Sequence, residues 1–248
     1  MGRRSRPRWS VRRTRLGDPL LWVSALGDLW LDRTALLRQT AFTEMYKEVR
    51  GYTLCGYPRL KSLFDAIQHV GHQGIAGVCV ECGTARGGSA ALMGLAAQSS
   101  PAARTVWAFD TFAGLPPPTR KDPDFADAIR FTGQCRGELG EVQALVARLG
   151  LRDQVQLIPG HFTDTLPRTD TGPIAVLHLD CDWYDSVRVS LDHLYPRVVP
   201  GGVIQIDDYG RWQGARRAVD EFLAERRTPV PLQWVDYNAR RWIKPAAD

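Results

Sequence analysis

The stretch IAVLHLDCDWYDS, residues 174–186, and its counterpart GGVIQIDDYG, residues 201–210, decide the fold. Each is an apolar run that stops at paired acids, Asp180 and Asp182 in the first and Asp207 and Asp208 in the second. Strands from Ile174 to Leu179 and from Gly202 to Ile206 would carry these carboxylates at their C-terminal ends, where open α/β sheets place their ligand crevice. Two carboxylates about 4 Å apart repel by roughly 4 kcal/mol at an effective dielectric of about 20. Such a cluster shares a proton or holds a cation. A divalent metal is the simplest occupant, and all-oxygen ligation points to Mg²⁺ or Mn²⁺.

Working outward, strands alternate with helical segments from about residue 74, the rhythm of a doubly wound α/β sheet. Gly77–Glu81, Thr105–Phe109 and Gln154–Ile158 read as strands, and Ser89–Gln98, Glu138–Leu149, Ser186–Leu194 and Gly214–Arg226 as helices. Leu232–Asp236 and Arg240–Ile243 read as a hairpin, so one of its two strands must run antiparallel to a mostly parallel sheet of seven. Ahead of the sheet, Pro58–Val70 has helical apolar spacing that suits packing across the sheet or over the site. Ala113–Gly137 is a long irregular stretch, the length of a lid or binding loop.

The chain has 248 residues and a formal charge of +5. Seven arginines between positions 3 and 15 account for that excess, leaving the rest slightly acidic. Specific nucleic-acid binding is therefore not expected. Residues 1–38 read as a basic extension, disordered or forming an amphipathic arm with weak contact to an anionic membrane surface, ahead of a catalytic domain over 39–248. Asp18, Asp28 and Asp32 interrupt its apolar run, so no transmembrane segment is expected. Five cysteines without framework spacing favour a reducing cytoplasm. Cys79 and Cys82 have CxxC spacing inside a strand, where a separation of three puts the sulfurs on opposite faces and argues against a redox or zinc pair. A homo-oligomer is compatible with the sequence.

The first strand runs into Glu81-Cys82-Gly83-Thr84-Ala85-Arg86-Gly87-Gly88-Ser89, a glycine-rich turn opening a helix. Glycines there let a ligand approach the backbone, and a helix N-terminus offers free N–H groups. The turn is neither GxGxxG nor a lysine-bearing phosphate loop. Asp110, ending the second strand, is placed to take both hydroxyls of a ribose, or else to cap a turn. His178, alone inside an apolar strand, reads as a hydrogen-bonded core residue. Trp183, Tyr184, Tyr209 and Trp212 either stack on a sugar ring or pack in the core.

These blocks, with Tyr57-Pro58-Arg59-Leu60, FDTFAGLP at 109–116 and GHFTDTLP at 160–167, resemble the macrocin O-methyltransferase family, the group that includes mycinamicin and noviose O-methyltransferases. The resemblance runs from about Thr53 to Lys244. It implies a class I S-adenosylmethionine (SAM) methyltransferase fold, Rossmann-like, with helices on both faces and an antiparallel terminal strand. It further implies that Glu81, Gly83 and Ser89 surround the methionine part of SAM and that Asp110 binds its ribose. Thr111, Phe112, Gly160, His161 and Phe162 would flank the adenine, and Leu54 would close the pocket. Asp180, Asp207 and Asp208 would be the Mg²⁺ ligands and Asp182 the general base, acting on a hydroxyl of a sugar or glycosylated natural product. Cys181 stands where the family usually has Gly, and Trp183-Tyr184-Asp185 where it usually has Leu-Tyr-Glu.

Two other readings remain open at this point. Asp180-Cys181-Asp182 is also the DxD of metal-dependent glycosyltransferases, although the glycine turn and the second aspartate pair fit that poorly. A non-catalytic methyltransferase-like module docking through its basic arm is the other.

Overall fold

The computed structural model describes residues 39–226 and 229–246, together with positions 27, 30, 31, 34 and 37. The expected N-terminal arm thus lies almost wholly outside the described residues. Among those described, no helix is long and apolar enough to cross a membrane.

Helices α1 (Ala41–Val49) and α2 (Tyr57–His72) precede the sheet. Then come β1 (Val78–Cys82), α3 (Gly88–Ser99), β2 (Val106–Asp110), a short α4 (Phe125–Ala128), α5 (Leu139–Arg148), β3 (Val155–Pro159) and a one-turn α6 (Phe162–Thr165). Strand β4 (Ile174–Leu179) is followed by α7 (Tyr184–Leu194), β5 (Val198–Ile206), α8 (Gln213–Ala224), β6 (Gln233–Trp234) and β7 (Arg240–Ile243). The seven strands lie in the order β3-β2-β1-β4-β5-β7-β6. Strands β1 to β5 pair in parallel, and β7 runs antiparallel to both β5 and β6. This is the mostly parallel sheet with a terminal hairpin expected from the sequence.

Strand periodicity divides the core into two layers. Cys79, Ala108, Val176 and Val203 join α1, α2 and α3 on one face, through Leu63, Ile67, Leu92 and Met93. Val80, Phe109, Leu177 and Ile204 join α7 and α8 on the other, through Leu191, Val219 and Phe222. Cys79 and Cys82 fall in opposite layers, as the spacing required, and all five cysteines are free.

Strand β4 is buried at all six positions, because it is central and covered on both faces. Its end meets those of β1 and β5 through backbone bonds: Asp180 N–H donates to the Cys82 carbonyl and Asp207 N–H to the Leu179 carbonyl, each at 2.9 Å. The acidic crevice therefore sits where the strand order turns outward from β1 and β4.

Candidate active site

A cavity of about 630 Å³ opens above these strand ends. The glycine turn and Asp110 form one end, and Asp180, Asp182 and Asp208 another wall. Leu54, Gly83, Ser89, Thr111, His161 and Phe162 also line it. Three expected cosubstrate residues do not line it directly. Glu81 is fully buried below the turn. Phe112 is buried with φ +55, its N–H donating to Asp110 Oδ1 at 2.7 Å. Gly160 donates its N–H to the Asp110 carbonyl at 2.9 Å. The last two shape the wall through backbone.

Gly83 fixes the distance between the cosubstrate turn and the aspartates. It has φ +93, and a Cβ there would lie 1.8 Å from the Asp180 carbonyl oxygen. No other residue allows this approach. Asp110 is anchored by N–H groups of the same turn, Thr84 and Ala85 both donating to Oδ2 at 2.8 Å. Burial pushes its pKa up, against the pull of these three backbone bonds. A carboxylate has about four lone-pair sites, so acceptor capacity remains on the cavity side.

The four aspartates are not equivalent. Asp207 is fully buried and accepts from Arg59 Nη1 and Cys55 Sγ on Oδ2, and from His178 Nε2 and Gln205 Nε2 on Oδ1. Burial works to raise its pKa, but Arg59 and His178 overcome this and hold the carboxyl well below the usual range. Asp180 is pushed well up, by burial and then by the charges of Asp207 and Asp208. Asp208 rises to about 6, by burial and Asp207, despite Arg59, the Asp182 N–H and a hydrogen bond with Asp180. Asp182 is raised well above the ordinary value by burial and by Asp208, while a bond from Trp212 Nε1 at 2.7 Å acts the other way. Asp182 also has φ +59, a conformation unusual outside glycine, which turns its side chain into the cavity wall.

Below the crevice, Glu81, His178 and Gln205 stand side by side on β1, β4 and β5. His178 bonds Glu81 Oε1 through Nδ1 at 3.0 Å and Asp207 Oδ1 through Nε2 at 3.3 Å. It is a satisfied core histidine, as its setting in an apolar strand suggested. Burial would lower its pKa, yet the bonds to Asp207 and Glu81 raise it to about 10. Glu81 Oε2 is buried without a donor.

Arg59, Cys55 and the Trp212 bond to Asp182 are site features that sequence reasoning did not pick out. Arg59 lies within a noted block, but nothing local shows that it reaches Asp207 while also meeting Asp236 Oδ2 at 3.2 Å and the Leu54 carbonyl at 3.3 Å. The aromatic cluster is packed rather than open. Trp183 and Trp212 meet edge to face at 4.9 Å, and Trp183 Nε1 donates to the Pro116 carbonyl at 2.7 Å. Tyr184 and Tyr209 donate their hydroxyls to Glu221 and Asp220. Of the four, only Trp212 lines the cavity, and Arg211 lies 4.0 Å over its ring.

The loop expected over residues 113–137 holds α4 and a following turn of 3₁₀ helix. Its Asp122 Oδ1 accepts the Tyr184 N–H at 2.7 Å, and its Asp124 Oδ2 accepts the Gln213 N–H at 3.1 Å. The loop thereby caps the N-termini of α7 and α8 and is pinned beside the cavity.

The Macrocin-O-methyltransferase (TylF) family matches residues 37–244. The chain is 35% identical over 201 residues to 8-demethyl-8-(2,3-dimethoxy-alpha-L-rhamnosyl)-tetracenomycin-C 4'-O-methyltransferase of Streptomyces olivaceus, covering 79% of this chain and 77% of that protein. It is 32% identical over 224 residues to mycinamicin III 3''-O-methyltransferase of Micromonospora griseorubida, covering 85% and 88%. The solved O-methyltransferase NovP superposes with a TM-score of 0.74 at 29% identity, over 90% of this chain and 99% of that one. With the sheet order and the strand-end site, these matches show that the chain belongs to the macrocin O-methyltransferase family and is a SAM-dependent O-methyltransferase of the class I fold.

Proposed function

We propose that this enzyme moves the methyl group of SAM to a hydroxyl of a sugar on a glycosylated natural product, with a divalent cation, Mg²⁺ in the first instance, at Asp180, Asp207 and Asp208. The observation that carries the reading is that Asp180, Asp182 and Asp208 face one cavity with the glycine turn and Asp110. The names of the relatives support a sugar acceptor, since two of them act on a sugar-bearing tetracenomycin and on mycinamicin III.

The residues fit a cation. Asp180 and Asp208 are carboxylates whose ionisation is opposed by burial and by the neighbouring acids, Asp207 stays ionised beside Arg59 and His178 just outside the cavity lining, and oxygen donors suit Mg²⁺. When bound, the ion supplies Lewis acidity that lowers the pKa of an acceptor hydroxyl. Asp182 then takes the hydroxyl proton, its Oδ1 held by Trp212 so that its free edge faces the acceptor. Asp110 takes the ribose hydroxyls, and Gly83 and Ser89 admit the methionine end above the buried Glu81. His161, Phe162 and Thr111 cover the adenine, with Phe112 and Gly160 setting their backbone, and Leu54 closes the rim. The pinned loop 113–137 keeps water from the reacting atoms. Residues 39–248 make up the catalytic domain, preceded by a basic arm.

Incubation with SAM, Mg²⁺ and a panel of deoxysugar glycosides tests this, read by mass spectrometry. A gain of one methylene that EDTA abolishes is expected. Methylation that proceeds unchanged in EDTA would remove the metal, and protection of the fold by a nucleotide-sugar but not by SAM would favour sugar transfer.

A further inference from the structure

Beside and beneath the cavity wall formed by Asp180 lies a softer donor set than Mg²⁺ requires. Cys55, His178, Asp180 and Asp207 each present one ligand atom, and the four atoms lie within 4.8 Å of one another. Cys55 Sγ is 3.3 Å from Asp180 Oδ2 and 3.4 Å from Asp207 Oδ2. His178 Nε2 is 3.3 Å from Asp207 Oδ1. Around a tetrahedral Zn²⁺, adjacent sulfur and oxygen ligands stand about 3.5 Å apart, from bond lengths of about 2.3 and 2.0 Å. Octahedral oxygen ligands of Mg²⁺ stand closer, at about 2.9 Å. The two Cys55 spacings are close to the tetrahedral value, and the wider pairs of the set, up to 4.8 Å, draw in on binding.

His178 adds a separate observation. Its other nitrogen, Nδ1, bonds the buried Glu81 carboxylate at 3.0 Å. A carboxylate on the far nitrogen is how metal-binding histidines are oriented and made basic.

We propose that this chain binds a borderline-soft divalent cation of the Zn²⁺ or Co²⁺ class through Cys55, Asp180, Asp207 and His178, in competition with the oxygen-only site that shares Asp180 and Asp207. The proposal rests on the reading of the strand-end aspartates as a cation site, and not on the identity of the methyl acceptor. On binding, metal–sulfur and metal–nitrogen bonds form, and the protons of Cys55 Sγ and His178 Nε2 pass to solvent without any redox change. Arg59 leaves Asp207 and retains Asp236 and the Leu54 carbonyl. Thiolate favours such cations over Mg²⁺.

Co²⁺ reports the site directly, because a thiolate ligand gives an intense charge-transfer absorption that oxygen ligands do not. Titration of the metal-free full chain with Co²⁺ is expected to raise this band to a plateau at about one equivalent. Zn²⁺ should abolish the band, and Mg²⁺ in large excess should not. Cys55→Ser and Cys55→Ala should lack it, while serine variants of Cys79, Cys82, Cys135 and Cys181 keep it. The four other variants assign the thiol by elimination if the Cys55 variants do not fold. Absence of the band in the unmodified chain, its persistence in a folded Cys55 variant, or its loss with another cysteine would overturn the proposal. Mg²⁺-dependent methylation without a band would sink the thiolate site alone. A band without methylation of any acceptor would sink the acceptor reading alone.

Discussion

Trp212 donates its indole N–H to Asp182 Oδ1 at 2.7 Å, joining the strand-end acid to the start of α8. Asp182 sits in left-handed backbone and lines the cavity, so this bond helps set which carboxylate edge faces the acceptor. A bond to a charged acceptor is worth about 1.5–3 kcal/mol. Trp212→Phe keeps an aromatic ring against Trp183 and Phe131 but loses the donor. Methyl transfer should slow by roughly 10- to 100-fold while SAM affinity, read by calorimetry, stays near its original value. Weakened SAM binding with an unchanged rate would place Trp212 elsewhere in the reaction.

Gly83→Ala tests the contact between the cosubstrate turn and β4. The added Cβ would meet the Asp180 carbonyl, and the positive φ alone costs about 1–3 kcal/mol. A lowered melting temperature together with loss of SAM binding is expected. Gly140→Ala, in a helix with nothing near its Cβ, serves as the control and should lower neither.

His178 gives a pH dependence with a definite sign. Its folded pKa of about 10 lies above the ordinary 6.5, so its stabilising contribution is complete below 6.5 and is lost as pH rises through about 10. In the presence of chelator, melting temperature should fall across that window more steeply in the unmodified protein than in His178→Gln. Asp208, raised from 3.8 to about 6, acts in the same direction but in a lower window, so the two are separable. Parallel melting curves against pH would show that His178 does not hold its proton between Glu81 and Asp207.

Asp122→Ala removes the acceptor that caps α7 and also receives the Thr119 N–H at 2.8 Å. About 1 kcal/mol of stability should be lost, the size of a helix cap. Release of the loop should raise KM for the acceptor more than it changes SAM affinity, and limited proteolysis should then cut between residues 113 and 137.

Much of this arrangement was legible in the sequence. Ile174–Leu179 and Arg240–Ile243 have their expected limits, because an unbroken apolar run and a strand after a tight turn leave little choice. Strand β5 starts at Val198 rather than Gly202, since the Pro200-Gly201-Gly202 segment is carried as an irregularity between the pairs Ile174 with Val198 and Val176 with Val203. Strand β6 shrinks to Gln233–Trp234 because Asp236 folds back, accepting the N–H groups of Asn238 and Ala239 to form the turn. Helix α4 escaped notice because its loop is held by Asp122 and Asp124 reaching distant helices. At the site, short spacing revealed the aspartates, whereas Arg59 and Cys55 meet Asp207 across about 150 residues of chain, a relation no local pattern carries.

Single-turnover transfer of an isotopically labelled methyl from SAM to an accepted glycoside, followed in Asp182→Asn and Asp208→Ala across a Mg²⁺ titration, separates the proposed base from a proposed ligand most directly. Asp208→Ala should need more Mg²⁺ and recover part of its rate as the ion is raised. Asp182→Asn should bind Mg²⁺ and SAM normally yet remain about 10² to 10⁴-fold slower at saturation, the contribution of a general base. A rate for Asp182→Asn close to that of the unmodified enzyme at saturating Mg²⁺ would contradict the assignment of Asp182 as the group that takes the hydroxyl proton.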